Sequence, residues 1–176
     1  ANRFYQSVVD ANREESAPTY LAWGVGLLMA EQSDAAVDVF RQALDREVLP
    51  KDNPAFQIYL ATALEYAGQT DDALKTINEA IKLDQGNPRL LSRRAWIYYH
   101  AKQYDKAREA YEHIIKKYGD DFSSADIRDV VREARLVMSN IEVLTGTMPA
   151  AEEWLMQVLD EYPRDASAHN DLGYLL

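Results

Sequence analysis

Apolar residues recur every three or four positions through most of this 176-residue chain, in stretches separated by short turns. Residues 54–87 show the pattern most clearly. Leu60 and Leu64 repeat at helical spacing before a break at Gly68, and a second apolar stretch around Ile77 follows. This spacing places one apolar stripe on each of two helices. We therefore predict a helical hairpin here, which needs similar hairpins beside it to bury both of its faces.

The same pattern recurs along the chain. A small residue in the middle of the first helix appears as Gly24, Ala61, Ala95, Ser139 and Gly173. The second helix opens with an alanine, followed by a bulky residue four positions later and a third apolar residue after three more. These triplets are Ala36, Phe40 and Ala43; Ala73, Ile77 and Ala80; Ala107, Tyr111 and Ile114; and Ala151, Leu155 and Val158. The first four small residues are 37, 34 and 44 positions apart, and a period near 34 predicts an array of helical hairpins.

On these residues, the chain resembles the tetratricopeptide-repeat (TPR) family over nearly its whole length. The resemblance implies an all-α fold, a right-handed α-solenoid of TPR helix-turn-helix hairpins in a single array. The expected divisions are the second helix of a preceding repeat (1–16), repeats 1 to 4 (17–53, 54–87, 88–121 and 122–165) and the first helix of a truncated repeat 5 (166–176). Repeat 4 should have an extended first helix, N-capped by Ser123 or Ser124. The half-repeats at the two ends of the chain suggest that it is a fragment of a longer array.

The composition and the motif content of the chain exclude several classes of function. A net charge of −10 argues against a nucleic-acid-binding domain, because neutralising phosphates requires clustered basic residues. The absence of cysteine excludes thiolate metal sites and cysteine nucleophiles. No apolar run reaches the roughly 18 residues of a membrane span. His100, His113 and His169 lack dependable metal-ligand spacing, and no phosphate loop or nucleophile elbow occurs. We therefore expect a soluble protein that is not an enzyme, with no metal and no cofactor.

The family resemblance implies that first helices line a concave groove and bind a peptide or a partner protein there. Carried onto this sequence, the predicted peptide-binding residues are Leu28, Tyr59, Tyr66, Arg89, Arg93, Trp96, Tyr99 and Asn140. Tryptophan, tyrosine and arginine are the residue types that most often anchor interfaces. Between Ile81 and Tyr118 there are nine Lys or Arg against four Asp or Glu. This local basic excess predicts a partner with acidic as well as apolar groups.

Alternatives remain open at this stage. Residues 21–29 fit a buried core as well as a groove, and Trp96 and Tyr99 fit packing against neighbouring repeats. The chain would also suit a structural spacer, a module that self-associates through its truncated ends, or a regulatory appendage of an enzyme whose catalytic domain lies elsewhere. The segment 166–176 resembles bacterial TPR proteins, which implies a bacterial source, in either the cytoplasm or the cell envelope.

Overall fold

The computed structural model describes residues 2–11, 16–50 and 53–175, and throughout this part the regular structure is helical. Ten helices occur in the described residues, which confirms the prediction of an all-α fold. They are α1 (Asn2–Ala11), α2 (Ala17–Met29), α3 (Ser33–Asp45), α4 (Ala55–Tyr66), α5 (Thr70–Leu83), α6 (Pro88–His100), α7 (Tyr104–Tyr118), α8 (Ala125–Thr145), α9 (Met148–Glu161) and α10 (Ala166–Leu175). None of the described helices is both long and apolar enough to cross a bilayer.

The chain divides into two compact units, Ala1–Ile97 (unit 1) and Tyr98–Leu176 (unit 2), and the division falls within α6. In unit 1, consecutive helices from α1 to α5 pack against one another around a continuous apolar core. In unit 2, α7 packs on α8, α8 on α9, and α9 on α10. Within each unit these helices contact their neighbours in sequence, as expected where hairpins stack to build a core.

The predicted core positions are buried. All twelve residues of the second-helix triplets named above are inaccessible to solvent or nearly so. Among the small first-helix residues, Gly24, Ala61, Ala95 and Ser139 are buried, whereas Gly173 is exposed. Gly24 shows why the position must be small: a Cβ there would lie 2.2 Å from Cζ of Phe40. The glycine therefore allows α2 and α3 to approach closely enough for the phenylalanine ring to pack against the backbone.

The turns between paired helices repeat one backbone geometry. Glu31, Gly68, Lys102 and Gly146 adopt positive φ angles of 57°, 74°, 58° and 85°. In each turn, the next residue donates its backbone N–H to the carbonyl five positions earlier, at 2.8 to 2.9 Å. This is the Schellman arrangement, in which a left-handed residue lets the chain satisfy the last carbonyls of the first helix. The four residues are 37, 34 and 44 positions apart, the same intervals as the small core residues.

Helix α8 is the long first helix expected near residue 124. Its 21 residues begin after Ser124, whose side chain accepts a hydrogen bond from the backbone N–H of Ile127 at 3.2 Å. The serine satisfies one of the donors that every helix start leaves without an internal partner. Of the predicted divisions, 1–16, 17–53 and 166–176 include residues 1, 12–15, 51–52 and 176, which lie outside the described residues. The division into numbered repeats therefore stays a prediction.

Candidate functional site

Three of the predicted binding residues meet in unit 1. Tyr66, the last residue of α4, is 55% exposed, and its ring centroid lies 5.4 Å from that of Trp96 on α6, in an edge-to-face arrangement. One turn before Trp96, the guanidinium carbon of Arg93 lies 4.8 Å from the indole centroid. The indole is half-buried against the unit 1 core, which fixes its position. We call Tyr66, Arg93 and Trp96 the aromatic–arginine cluster.

Arg89 adds a second guanidinium one turn before Arg93 on the same helix. Its side chain is exposed, and it lies in the first turn of α6. Asn87 caps this turn, with Oδ1 accepting hydrogen bonds from the backbone N–H groups of Arg89 at 3.0 Å and Leu90 at 3.3 Å. The positive end of the helix dipole lies here as well, so an approaching anion experiences the dipole and both arginines together.

Glu65, the residue before Tyr66 in α4, has a shifted pKa. Burial raises the pKa of Glu65 above its ordinary value of 4.5, and a side-chain hydrogen bond with Thr70 offsets part of that rise. Its Oε2 atom is buried without a hydrogen-bond partner among the described residues. Burial therefore disfavours the charged form of this carboxylate.

Two other predicted residues of unit 1 lie apart from the cluster contacts. The Tyr59 ring stacks on Phe40 of α3, with centroids 5.5 Å apart and planes 21° apart. Leu28 is half-buried and packs against the unit 1 core. Met29, its neighbour on α2, is 83% exposed. The segment 21–29 thus contains both core and surface positions.

The remaining two predicted residues belong to unit 2. Tyr99 is half-buried, and its ring contacts those of His100 and Tyr104, with centroids 5.9 and 6.1 Å away. Burial and the adjacent Tyr104 raise the pKa of the Tyr99 hydroxyl. Asn140 is exposed on α8. A binding role for either residue stays a prediction.

Sequence reasoning missed an ionic network that crosses from α8 to the end of α9 in unit 2. Arg128, which is 8% exposed, pairs with Glu161 through two nitrogens and donates to the carbonyl of Gly119 at 2.7 Å. Arg135 also pairs with Glu161, at 2.9 Å, and Arg132 pairs with Asp165 at 2.8 Å. The detectable signal was the spacing of the three arginines, which places them on one side of α8.

Hydrogen bonds to these arginines alter the ionisation of their partners. Burial alone raises the pKa of Glu161, but the hydrogen bonds from Arg128 and Arg135 outweigh that effect, so the net pKa is lowered. The backbone N–H of Ala168 lowers the pKa of Asp165, and Arg132 lowers it further. Both carboxylates are therefore held in the charged form, and the network stabilises the packing of α8, α9 and the start of α10.

The side chains of the aromatic–arginine cluster offer hydrogen-bond donors and aromatic faces to a ligand. No group of three His, Cys, Asp or Glu side chains in the described part of the chain is arranged to hold a metal ion. The aromatic–arginine cluster combines a flat apolar ring, an exposed phenol and guanidinium donors. Guanidinium groups bind carboxylates in bidentate geometry, and aromatic faces bind apolar side chains.

A comparison with family models decides the classification. The tetratricopeptide repeat model matches residues 27–92 and, in a second overlapping match, residues 64–127, more than half of the chain together. The chain belongs to the tetratricopeptide-repeat family. The predicted right-handed solenoid of TPR hairpins is thereby confirmed as its fold class. No curated protein sequence matches the chain.

Solved structures of other TPR proteins share the fold at low sequence identity. MamA from Desulfovibrio magneticus RS-1 superposes with a TM-score of 0.61 at 17% identity, covering 92% of this chain and 84% of MamA. YrrB, described as a TPR protein with an unusual peptide-binding site, gives 0.61 at 17% identity, with 96% and 79% covered. A TPR protein from Parabacteroides merdae gives 0.63 at 16% identity, with 97% and 58% covered.

Proposed function

We propose that this protein is a non-catalytic interaction scaffold that binds a peptide or a segment of a partner protein at the aromatic–arginine cluster of unit 1. Proteins of the TPR family generally bind other proteins, which supports the role of an interaction scaffold. The observation that carries the specific proposal is the contact of Tyr66 with Trp96 and of Trp96 with Arg93. These residues form a partly exposed surface of the types that anchor interfaces.

The chemistry of the cluster specifies the partner. Arg89 and Arg93 lie one turn apart on α6, and burial raises the pKa of Glu65, the residue before Tyr66. A carboxylate on the partner would bind the guanidinium groups, and an adjacent leucine or aromatic side chain would contact Trp96 and Tyr66. We propose an acidic peptide with one apolar anchor as the ligand. The other predicted residues, Leu28 and Tyr59 in unit 1 and Tyr99 and Asn140 in unit 2, stay separate candidates for contacts with a partner.

The test is peptide-display panning against the whole chain at low and at physiological salt, followed by affinity measurement for the enriched peptides. Acidic peptides with an apolar anchor should enrich, and their affinity should fall as salt screens the arginines. Arg89→Glu combined with Tyr66→Ala should weaken binding at least about tenfold, because both changes remove contacts at an anchor.

Lys116→Glu is the matched control, since it reverses an exposed charge on α7 of unit 2, a helix that contributes no residue to the cluster. It should leave the affinity within about twofold, as expected for a charge outside the contact surface. Circular dichroism should show unchanged helicity for every variant. The proposal is overturned if the enriched peptides bind the Arg89/Tyr66 variant as tightly as the wild type, or if the Lys116 control loses as much affinity.

A further inference from the structure

The first turn of α6 carries the opposite charge to those of four other helices. Acidic side chains lie in the first turns of α3, α5, α7 and α8, where a negative charge interacts favourably with the positive end of the helix dipole. Helix α6 has no acidic residue there and carries Arg89 instead. A positive charge at this end of a helix is unfavourable, so helix stability does not explain the arginine. Residues that break such local rules are expected at functional sites.

The rest of α6 also lacks acidic side chains. It carries Arg89, Arg93 and Arg94, and among the helices that the structure describes it alone has Lys or Arg without any Asp or Glu. The chain has 29 Asp or Glu against 19 Lys or Arg, so α6 departs from the general composition. Because like charges repel, a helix that carries arginines and no carboxylates is the best suited of these helices to bind an acidic ligand.

The residue that caps α6 is uncharged as well. Asn87 Oδ1 accepts hydrogen bonds from the backbone N–H groups of Arg89 and Leu90, and Asn87 Nδ2 donates to Oδ2 of Asp84 at 3.1 Å. One neutral amide thus satisfies donors at the start of α6 and binds a carboxylate at the end of α5. It does so without placing a further negative charge beside Arg89.

Capping alone does not require a neutral side chain, because Asn, Asp and Ser cap helices about equally well. Both kinds of cap occur in unit 2. Ser124 accepts a hydrogen bond from the backbone N–H of Ile127 at 3.2 Å, and Asp165 accepts one from that of Ala168 at 2.8 Å. The second oxygen of Asp165 accepts a hydrogen bond from Arg132, so the charge of that cap is compensated. The charge of a capping residue is therefore a separate property from its capping bond.

The cap of α6 lies at the start of the proposed contact surface. Asn87 Oδ1 is 3.0 Å from the backbone nitrogen of Arg89, and Arg93 follows one turn later. A carboxylate in place of the Asn87 amide would lower the positive potential at the first turn of α6. It would also repel the carboxylate of a bound peptide, with the strength expected of charges at a protein surface. The neutral amide avoids both effects.

We propose that Asn87 is a specificity-determining residue of the peptide-binding surface. It caps α6 with a neutral side chain and so preserves the positive potential by which Arg89 and Arg93 favour acidic over neutral ligands. The ligand is a peptide whose carboxylate binds at the first turn of α6 and whose apolar side chain contacts Trp96. This inference rests on the peptide-binding proposal and assigns to that surface a residue that the sequence-based prediction omitted.

The test measures the affinity of the whole chain for an acidic peptide enriched by panning, with Asn87→Asp and Asn87→Ser compared at several salt concentrations. Both substitutions keep a capping side chain and remove the amide that binds Asp84, so the two variants differ in charge. Asn87→Asp should bind about threefold more weakly than Asn87→Ser at low salt, as expected for surface charges. The ratio should approach one near 1 M salt, where the Debye length is about 3 Å, whereas a structural disturbance would persist.

Ser124→Asp is the control for net charge. It adds the same charge at the cap of α8 in unit 2, a helix that contributes no residue to the aromatic–arginine cluster, and should leave the affinity within about 1.5-fold. Equal affinities of Asn87→Asp and Asn87→Ser overturn this inference alone. So does a ratio that salt does not change, or an equal loss of affinity for Ser124→Asp. If panning enriches no acidic peptide, the peptide-binding proposal fails and this inference fails with it.

Discussion

Units 1 and 2 both carry arginines at helical spacing on one helix, yet those side chains have different partners. In unit 1, Arg93 stacks on the indole of Trp96, and Arg89 is exposed one turn earlier. In unit 2, Arg128 is buried, with its nitrogens hydrogen-bonded to Glu161 and to a backbone carbonyl. Arginine thus packs on an indole in unit 1, whereas in unit 2 it bonds to carboxylates, and there Arg128 also lies over the Phe122 ring.

One glutamate in each unit also differs in its partners, and the pKa values of the two shift in opposite directions. Burial raises the pKa of Glu65 in unit 1, and its Oε2 atom has no hydrogen-bond partner among the described residues. Glu161 in unit 2 is also desolvated, but two arginines bond to it and its pKa is lowered. Burial alone therefore does not determine the charge state of a carboxylate in this fold. The presence of hydrogen-bonded cations decides it.

The largest predicted effect comes from removing the shared carboxylate of unit 2. Glu161→Ala leaves the buried Arg128 and the neighbouring Arg135 without their carboxylate partner, so the free energy of unfolding should fall by about 3 kcal/mol. Urea denaturation followed by circular dichroism measures the change. Glu153→Ala, at an exposed position on the same helix, is the control and should alter stability by less than about 0.5 kcal/mol. Equal losses for the two variants would contradict a specific role for the network.

Much of the fold followed from sequence because its determinants are local. The interval between small residues such as Gly24 and Ala61 reflects direct helix contacts, since Phe40 packs where a Cβ of Gly24 would lie. The N-cap of α8 likewise depends on Ser124 and residues within one turn of it. Local spacing and capping chemistry are readable without knowing how helices meet.

The ionic network was harder to predict because it depends on which helix faces touch. Arg128 and Glu161 are 33 residues apart, and the local sequence around either residue does not predict that the two will pair. In the candidate site, helical spacing brought Arg93 and Trp96 together correctly, since both lie on α6. The stacking of Tyr59 on Phe40 joins different helices and was not foreseen. Predicting contacts between helices requires knowledge of how the helices pack, which a single sequence specifies only indirectly.

A second prediction compares the two glutamates by pH. The pKa of Glu65 is raised in the folded state. The stability linked to this group is therefore fully present below pH 4.5 and is lost as the pH rises through the folded-state pKa. Glu65→Gln should therefore be more stable than the wild type at neutral pH, with the gain vanishing in acid. The folded pKa of Glu161 is lowered, so its contribution is present above 4.5 and lost as pH falls.

Glu161→Gln should accordingly be less stable than the wild type at neutral pH, and the two should converge in acid. Urea midpoints measured across the range, above and below 4.5, would show both trends. The two difference curves should have opposite signs at neutral pH and approach zero together. Curves of the same sign would break the contrast between an unpaired and a paired carboxylate.

The smallest expected change in stability is that of Arg93→Ala in unit 1, a variant that should affect peptide affinity much more than folding. Arg93→Ala removes a partly exposed cation–π contact, which contributes about 0.5 to 1 kcal/mol at such sites. Its effect on unfolding by urea should therefore be several times smaller than that of Glu161→Ala, whereas affinity for an enriched acidic peptide should fall at least about tenfold, as for an anchor residue. Arg93→Lys keeps the charge but loses the planar stack, and should recover part of the affinity. A stability loss as large as that of Glu161→Ala would show that Arg93 is a structural residue and that the two sets of arginines do not differ in kind.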